Sequence, residues 1–579
     1  MGEPMTDLLE LSLEEQCRAI WEATLAAEEA DRRARLVPPK VRIWNGDWKL
    51  VGTLDSEYSA SFTWLDNEVG PGLTEIPIDD PLAKWIWQVA PRVGRGEKLH
   101  VFITVDKDGA RWSGRLHDHT VEKRDDGTWV LVVRWLHDLS ALEYYLAWCN
   151  PFLPAFVQFP RVFFLAGPSI WGLKTALFLN LMRENVTNNF ALPDDPMNHV
   201  TAPATLMSNW PVVVKPTTFA EDMMAGTIWS VPNSRFKRWV DMAKDILEDA
   251  QLSIQVRRFI AGEDEQPIEG QTLRNGCLVV DIVDKSGYYT DTSNGGDPFL
   301  GLKRTFAQWA EDFIDVFEED VVSPTVPDSY KVPGLRLTDK TCPYVIYLEG
   351  EETGIESSKF TFTPSTARQI VAGGHSFPFV NELISATIQT VGDLIAAMVF
   401  IPPIGGAVDA VAQVFYWDTI AAWFNVESGG RKSKGGWAAP FEVLASGSDR
   451  AYTLEMLLSI RKALHETRSW FSHEINIRDG APWFIGDQGK GHFFIGDRIG
   501  AQVIGSQVAG HGPTTLYVDD HTIYVDRVRE LTLAWDRESP PEWKPVIGEK
   551  EKNKDRGQRA LAMVAELGSL VQQLAVHGR

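Results

Sequence analysis

The chain has 579 residues, 44% hydrophobic and 23% charged, a globular balance that can bury a large core in roughly three to five domains. A net charge of −23 argues against a nucleic-acid surface, which needs clustered Lys and Arg. Four well-separated cysteines (Cys17, Cys149, Cys277 and Cys342) without a C-x-x-C pair exclude a disulfide scaffold or zinc pattern, and read as reduced thiols made in a cytosol. The opening "MGEPMTDLLELSLEEQ" lacks the basic and apolar regions of a signal peptide. The 22 Trp and 28 Phe suit large core or interface areas.

Residues 1–40 read as an N-terminal amphipathic helix. Ser12 and Glu15 form a capping box, and Leu13, Cys17, Ile20, Trp21, Thr24 and Leu25 share one face before "VPP" stops the helix. Such a helix must dock on its own chain or on a neighbouring subunit. Over 41–145 the period changes to two. "WNGDWKLVGTL", "YSASFTWLDN", "KLHVFITVD" and the stretch from Ala110 around the Asp125-Asp126-Gly127 turn read as strands of a small β-barrel or sandwich. His117 and His119 share a strand face beside Asp118, but no third ligand follows at a recognisable spacing, so they read as a solvated strand edge.

Residues 146–345 read as a mixed α/β domain. It contains "RVFFLAGPSIWGLKT", almost a phosphate-binding loop. Leu173 stands between Gly172 and Lys174, and one extra helical residue turns a side chain by roughly 100°. Pro168 removes an N–H, and Ile170 and Trp171 are bulky where phosphate must approach. The stretch therefore reads as strand, turn and a helix from about Leu173 to Asn185, and Lys174→Ala is expected to leave assembly intact. A helix is expected from about Ser234, strands at "QVRRFI" and "CLVVDIVD", and loop then helix over Ser293–Asp315. "VVSPTVPDSYKVPGL" is a linker or surface excursion.

Residues 346–480 read as a helical insertion with an apolar helical hairpin over 379–425. Its longest charge-free run, Leu394–Val408, is 15 residues, short of a membrane span, and "IPPIGG" breaks it. Burial in the protein or its oligomer and a membrane-touching device both remain open. "ESGGRKSKGGW" reads as a flexible basic loop, followed by a helix over about Tyr452–Phe471. Residues 481–545 read as a second compact β domain. Phe-Ile-Gly-Asp occurs twice there, and Gly496 and Gly500 are expected to serve backbone geometry. Residues 546–579 carry a C-terminal helix with Ala560, Val564, Leu567, Val571 and Leu574 as a coiled-coil seam.

No motif assigns a catalytic, cofactor-binding or metal residue. His465-Glu466 and His473-Glu474 fail the H-E-x-x-H spacing, no G-x-S-x-G is present, and Asp519, Asp520 and Asp526 are a carboxylate group of the kind that chance produces among 79 acidic residues. The fold class is α+β multidomain: small antiparallel β-barrel or sandwich domains with helical insertions, the apolar hairpin and terminal helices.

Four stretches carry a family likeness: Trp112–Trp148, "GPSIWGLKTALFLNLMREN", "HFFIGDRIGAQV", and Ile523–Leu574. In these the chain resembles the minor tail proteins of siphophages infecting actinobacteria, and more specifically their tail-tip hub proteins, related to Tal-type and baseplate-hub proteins. The resemblance implies a non-enzymatic virion protein, made in the host cytoplasm and placed at the tail tip. It implies a homotrimeric ring that closes the tube and adapts its symmetry. The implied partners are the distal tail protein and tail tube, the tape-measure C-terminus and other minor tail proteins. The implied roles are host attachment and DNA ejection, without specific nucleic-acid binding and without a cofactor. The alternative is a tail-associated cell-envelope hydrolase or a membrane-penetrating tip protein that contacts the host membrane through 379–425.

Overall fold

The computed structural model describes residues 12–158, 163–185, 207–285, 307–309, 315–318, 322–323, 345–347, 354–374, 423–445, 459–502 and 523–548, with isolated gaps, and residue 197. The interior of the apolar hairpin, the C-terminal seam, Cys342, Asp519 and Asp520 lie outside the described residues.

Helix α1 (Leu13–Arg35) starts where the capping signal places it. Ser12 donates to the Glu15 carboxylate from its backbone N–H (3.0 Å) and its hydroxyl (2.7 Å). Leu13, Trp21 and Leu25 are exposed on this helix, and its last turn is held by the sheet that follows. Lys107 donates to the Arg35 carbonyl at 2.7 Å, satisfying one of the orphan acceptors of a helix end.

Seven strands follow in the first β stretch. They are β1 (Lys40–Asn45), β2 (Leu50–Leu54), β3 (Ser59–Leu65), β4 (Pro71–Pro77), β5 (Val101–Lys107), β6 (Ala110–Lys123) and β7 (Trp129–His137). Asp108 and Gly109 both take positive φ (48° and 78°), the twist of a two-residue primed turn, and set the register Lys107↔Ala110. At the Asp-Asp-Gly turn, Asp126 accepts from the Thr128 N–H and hydroxyl (2.9 and 2.6 Å), and Gly127 takes φ 86°. The aromatic load goes into this core. Trp112 and Trp135 are fully buried, with their indole N–H groups satisfied by the Thr63 carbonyl (3.0 Å) and Thr74 Oγ1 (2.9 Å).

The two β stretches are one sheet, not two compact domains. Strand Ile523–Asp536 pairs antiparallel with β3, Leu531 opposite Trp64, and with Glu542–Ile547 on its other side. The 12-stranded sheet runs β2-β1-β5-β6-β7-β4-β3, then Ile523–Asp536, Arg498–Gln502 and Ile346–Tyr347, with Val322–Ser323 and Glu542–Ile547 both pairing with Ile523–Asp536 off this path. Register shifts at Ile43/Trp44, Leu116/Asp118 and Val528/Glu530 are bulges that bend it. The separation expected at 481 fails because both stretches bury their inner faces in a shared core, where Phe62, Trp64, Phe493, Phe494 and Trp543 meet.

The α/β part holds a three-stranded sheet. Leu278–Asp284 lies between Val212–Val214 (parallel) and Leu252–Arg258 (antiparallel). Helices α2 (Pro81–Trp87) and α3 (Val89–Gly94) precede β5. Helix α4 (Ser169–Asn185), α5 (Phe219–Met224) and α6 (Trp239–Asp249) belong to the α/β part, and α4 and α6 pack on its sheet. Helix α6 begins five residues later than expected at Ser234, because Lys237–Arg238 pair as a short strand with Leu146–Ala147.

A further sheet contains Gln369–Gly373 and Trp423–Ser428, antiparallel, with Gly373 opposite Trp423. Three expectations change here. Ala307–Trp309 and Asp315–Glu318 form a strand pair instead of a helix, and the second joins Trp423–Ser428. Gly429–Gly435 is a short helix instead of a loop, because Arg431 is buried and donates to the Ala367 and Leu464 carbonyls (2.8 and 2.7 Å). The helix expected to reach Phe471 gives way at Trp470 to strand Trp470–Ile477, which pairs with Ile355–Thr363. Among the described residues no helix is long and apolar enough to cross a membrane.

Candidate functional site

The near-phosphate loop is filled from within. Helix α4 starts at Ser169, earlier than the expected Leu173, and its N-terminus carries an internal carboxylate. Asp222, 1% exposed, accepts from the Trp171 N–H at 2.7 Å. Burial pushes its carboxyl up, opposed by hydrogen bonds from Thr227, Trp171 and Ile170. A phosphate there would face a carboxylate already bound to the same donors. Lys174 points elsewhere: its ammonium is buried, 2.6 Å from Asp281 Oδ1 and 2.7 Å from Thr217 Oγ1. Lys174→Ala, expected to leave assembly intact, therefore carries a stability cost that the sequence does not reveal. Asp281 keeps Lys215 at 3.2 Å and the Ile282 N–H at 2.9 Å, so the loss should be about 2 kcal/mol, read as a lowered denaturant midpoint.

The other sequence candidates do not converge. His117 is exposed beside Asp118 at 3.7 Å. His473 and Glu474 sit on a strand, not on a helix. Asp526 accepts from the Arg527 N–H at 2.7 Å. Among the described residues no cluster of His, Cys, Asp and Glu could hold a metal.

What the geometry does bring together is a polar seam between the long sheet and the α/β part. Asp66, its side chain 2% exposed, lies 3.0 Å from both Arg527 and Arg529 and accepts from Ser253 at 2.8 Å. The Asn67 side chain imitates a strand partner: it donates to the Leu252 carbonyl (2.8 Å) and accepts from the Ile254 N–H (2.7 Å). Arg258 makes a two-point contact with Asp138, 2.7 Å on each arm. Arg111 bonds the Arg258 carbonyl at 2.8 Å, and Lys285 bonds the Ile495 carbonyl at 2.8 Å and Asp497 at 3.0 Å. Trp48, at φ 56°, stacks on Phe102 and covers Gly276, where any Cβ would collide with the indole. No sequence motif marks these pairs, since each joins residues far apart in the chain.

His137 lies at this seam. Burial pushes its imidazole down to about 4, with Asp138 opposing and Arg258 adding to the drop. The folded value lies below the unfolded one of about 6.5. The neutral ring therefore contributes its full stability above about pH 6.5, and that contribution is lost as pH falls to 4. The expected loss is about 3 kcal/mol. His137→Asn keeps an acceptor for the Leu139 N–H, and its thermal midpoint should change less between pH 7 and pH 4. Parallel curves for both proteins would count against this.

A second feature is a cleft of about 380 Å³ where α1 ends. Its rim is the loop of the first Phe-Ile-Gly-Asp repeat. Gly486 and Gly491 cross so closely that a Cβ on Gly491 would overlap the Gly486 backbone. The primed turn at Gly109 presses on the same loop, and the Asp487 N–H donates to the Asp108 carbonyl at 3.0 Å. Arg35 stacks 3.7 Å over the Phe484 ring.

A family model described as siphovirus ReqiPepy6 Gp37-like protein matches residues 40–549. The minor tail protein Gp28 of Mycobacterium phage L5 is 32% identical over 584 residues, covering 92% of this chain and 94% of that protein. The minor tail protein Gp28 of Mycobacterium phage D29 is 31% identical over 588 residues, covering 93% and 94%. Among solved structures, the tail protein from Neisseria meningitidis MC58 aligns over 89% of this chain and 97% of its own, at 10% identity and a TM-score of 0.37.

Proposed function

The chain belongs to the siphovirus ReqiPepy6 Gp37-like family, the minor tail proteins of siphophages, and we propose that it forms the trimeric hub at the distal tip of the tail. It is a structural tail component, associated with other tail proteins in the virion. In the proposal the hub closes the tube, adapts its symmetry, contacts the distal tail protein and the tape-measure C-terminus, and opens for DNA ejection. The proposal assigns the chain no catalytic role.

One observation carries the reading. The 12-stranded sheet is open at one end: among the described residues β2 pairs on one side only and is largely accessible, whereas Ile346–Tyr347 at the other end is buried, with Trp483 donating to the Ile346 carbonyl at 3.0 Å. An exposed edge is a template for another chain, and head-to-tail contacts that close make rings. Three curved sheets, each presenting its β2 edge to a neighbouring copy, would line a closed tip. The apolar stretch fits the same picture. Gly373 and Trp423 are paired, so the excursion between them leaves and returns at one point of its sheet. In the proposal that excursion is buried in the assembled tip.

The test is the mass of the full chain in solution, with a map of the tail tip. The expected result is a species of three times the 64.8 kDa chain, and threefold density at the distal end. A monomer in solution together with tip density of another symmetry would overturn the hub.

A further inference from the structure

The cleft at the end of α1 holds more donors than its own acceptors use. Its charged lining is Arg35, Lys107 and Lys490 against Asp108 and Asp479, a positive excess in a chain of net charge −23. Both carboxylates are committed. Asp108 accepts from Trp543 Nε1 at 3.0 Å and faces Lys107 at 3.1 Å. Asp479 accepts from the Trp543 N–H at 3.1 Å and faces Arg35 at 3.7 Å. Lys107 and Arg35 are committed too, to the Arg35 and Trp483 carbonyls.

What remains is of one kind. Gly489, Lys490 and Gly491 line the cleft, and the Lys490 ammonium and the two glycine N–H groups have no hydrogen-bond partner among the described residues. The Gly486–Gly491 crossing fixes the turn that presents them. Donors without acceptors select an anion, and backbone N–H groups beside a Lys are a recurrent anion cradle. Beside them Ile485, Pro541 and Trp543 form an apolar wall. A bare inorganic anion has no use for that wall, whereas the carbon stem of an acidic side chain packs on it.

The geometry points to a docking site for a carboxylate-bearing acidic peptide segment of a partner protein. The occupied carboxylate sits on Lys490 and the two glycine N–H groups, and its stem lies against Trp543 and Pro541. This inference stands apart from the hub reading, since it holds for any acidic segment that reaches the cleft.

The experiment uses the full chain and a fluorescein-labelled hexaglutamate peptide, followed by fluorescence anisotropy at low salt. Saturable binding is expected, with a fall of about tenfold or more in Lys490→Glu. Lys359→Glu, the same charge change on an exposed strand elsewhere, should bind as the unmodified chain does. Lys490 is exposed, so its replacement leaves the fold intact, which an unchanged thermal midpoint checks. No saturable binding, or equal loss in both variants, would overturn the site. Inorganic phosphate that displaced the peptide at equal concentration would show a bare-anion site and overturn the peptide assignment.

Discussion

Asp138→Ala should lower the stability of the folded chain by about 3 to 5 kcal/mol, because it leaves a guanidinium buried without its counter-charge. The Asp138 and Arg258 side chains are 2% and 8% exposed. Burial alone would push the Asp138 carboxyl up, but the charge and hydrogen bonds of Arg258 outweigh it and hold the carboxyl below its ordinary value. In the Ala variant Arg258 keeps the Gly276 carbonyl at 2.8 Å and the Trp48 face at 4.6 Å, and these cannot replace a carboxylate. The measurement is chemical denaturation of the single variant against the double variant Asp138→Ala, Arg258→Leu. The double should recover part of the loss, since removing both charges removes the desolvation cost. A single variant as stable as the unmodified chain would show that water reaches the pair. The pH dependence has a definite sign. A depressed carboxyl contributes fully above its unfolded value of about 3.9 and loses that contribution as pH falls through the lower folded value.

Local chemistry was legible in the sequence, and long-range pairing was not. The Ser12/Glu15 signal located α1, the Asp125-Asp126-Gly127 turn located the β6–β7 hairpin, and the misplaced Lys174 argued against a phosphate loop. Each depends on residues within a few positions of one another. The partner of strand Ile523–Asp536 is β3, more than 400 positions earlier, and alternation reports only that a strand has one buried face. The same holds for Asp138 and Arg258, 120 positions apart. Two segments misled for a different reason. "RTFAQWAEDF" has helical composition, yet Ala307–Trp309 pairs as a strand with Asp315–Glu318. The Gly- and Lys-rich stretch after Glu427 is helical because Arg431 is locked into carbonyls of other segments. In both, tertiary contacts outweigh a propensity of a few tenths of a kcal/mol per residue, roughly.

The cleft was half legible. The second Phe-Ile-Gly-Asp flagged Gly496 as a backbone device, and the structure gives the glycine of the first, Gly486, a different task. Gly486 lets the loop cross itself at the cleft rim, and Gly496 lets the chain pass the α/β part. What composition could not show is that Arg35, at the far end of the chain, completes that rim.

Gly496→Val should cost about 3 to 5 kcal/mol, through two independent penalties. Gly496 takes φ 83°, a backbone region that a β-branched residue enters only under strain. A Cβ there would also collide with Ser253 Oγ and lie 3.1 Å from Lys285 Cδ. Both neighbours hold the seam: Ser253 donates to Asp66, and Lys285 reaches Asp497 and the Ile495 carbonyl. Relieving the clash therefore moves a buried hydroxyl and a buried ammonium, each bonded to a carboxylate, instead of one methyl. Gly500 supplies the contrast. It lies in an extended strand, paired with Ile346 on one side and Val525 on the other, where Val is a favoured residue. Gly500→Val should accordingly cost less than Gly496→Val, although the sequence treats the two glycines alike. Denaturation midpoints of the two variants decide the matter. If Gly496→Val matched the unmodified chain, the seam would be loose enough to absorb a side chain, and the assignment of Gly496 as its fixed point would fall.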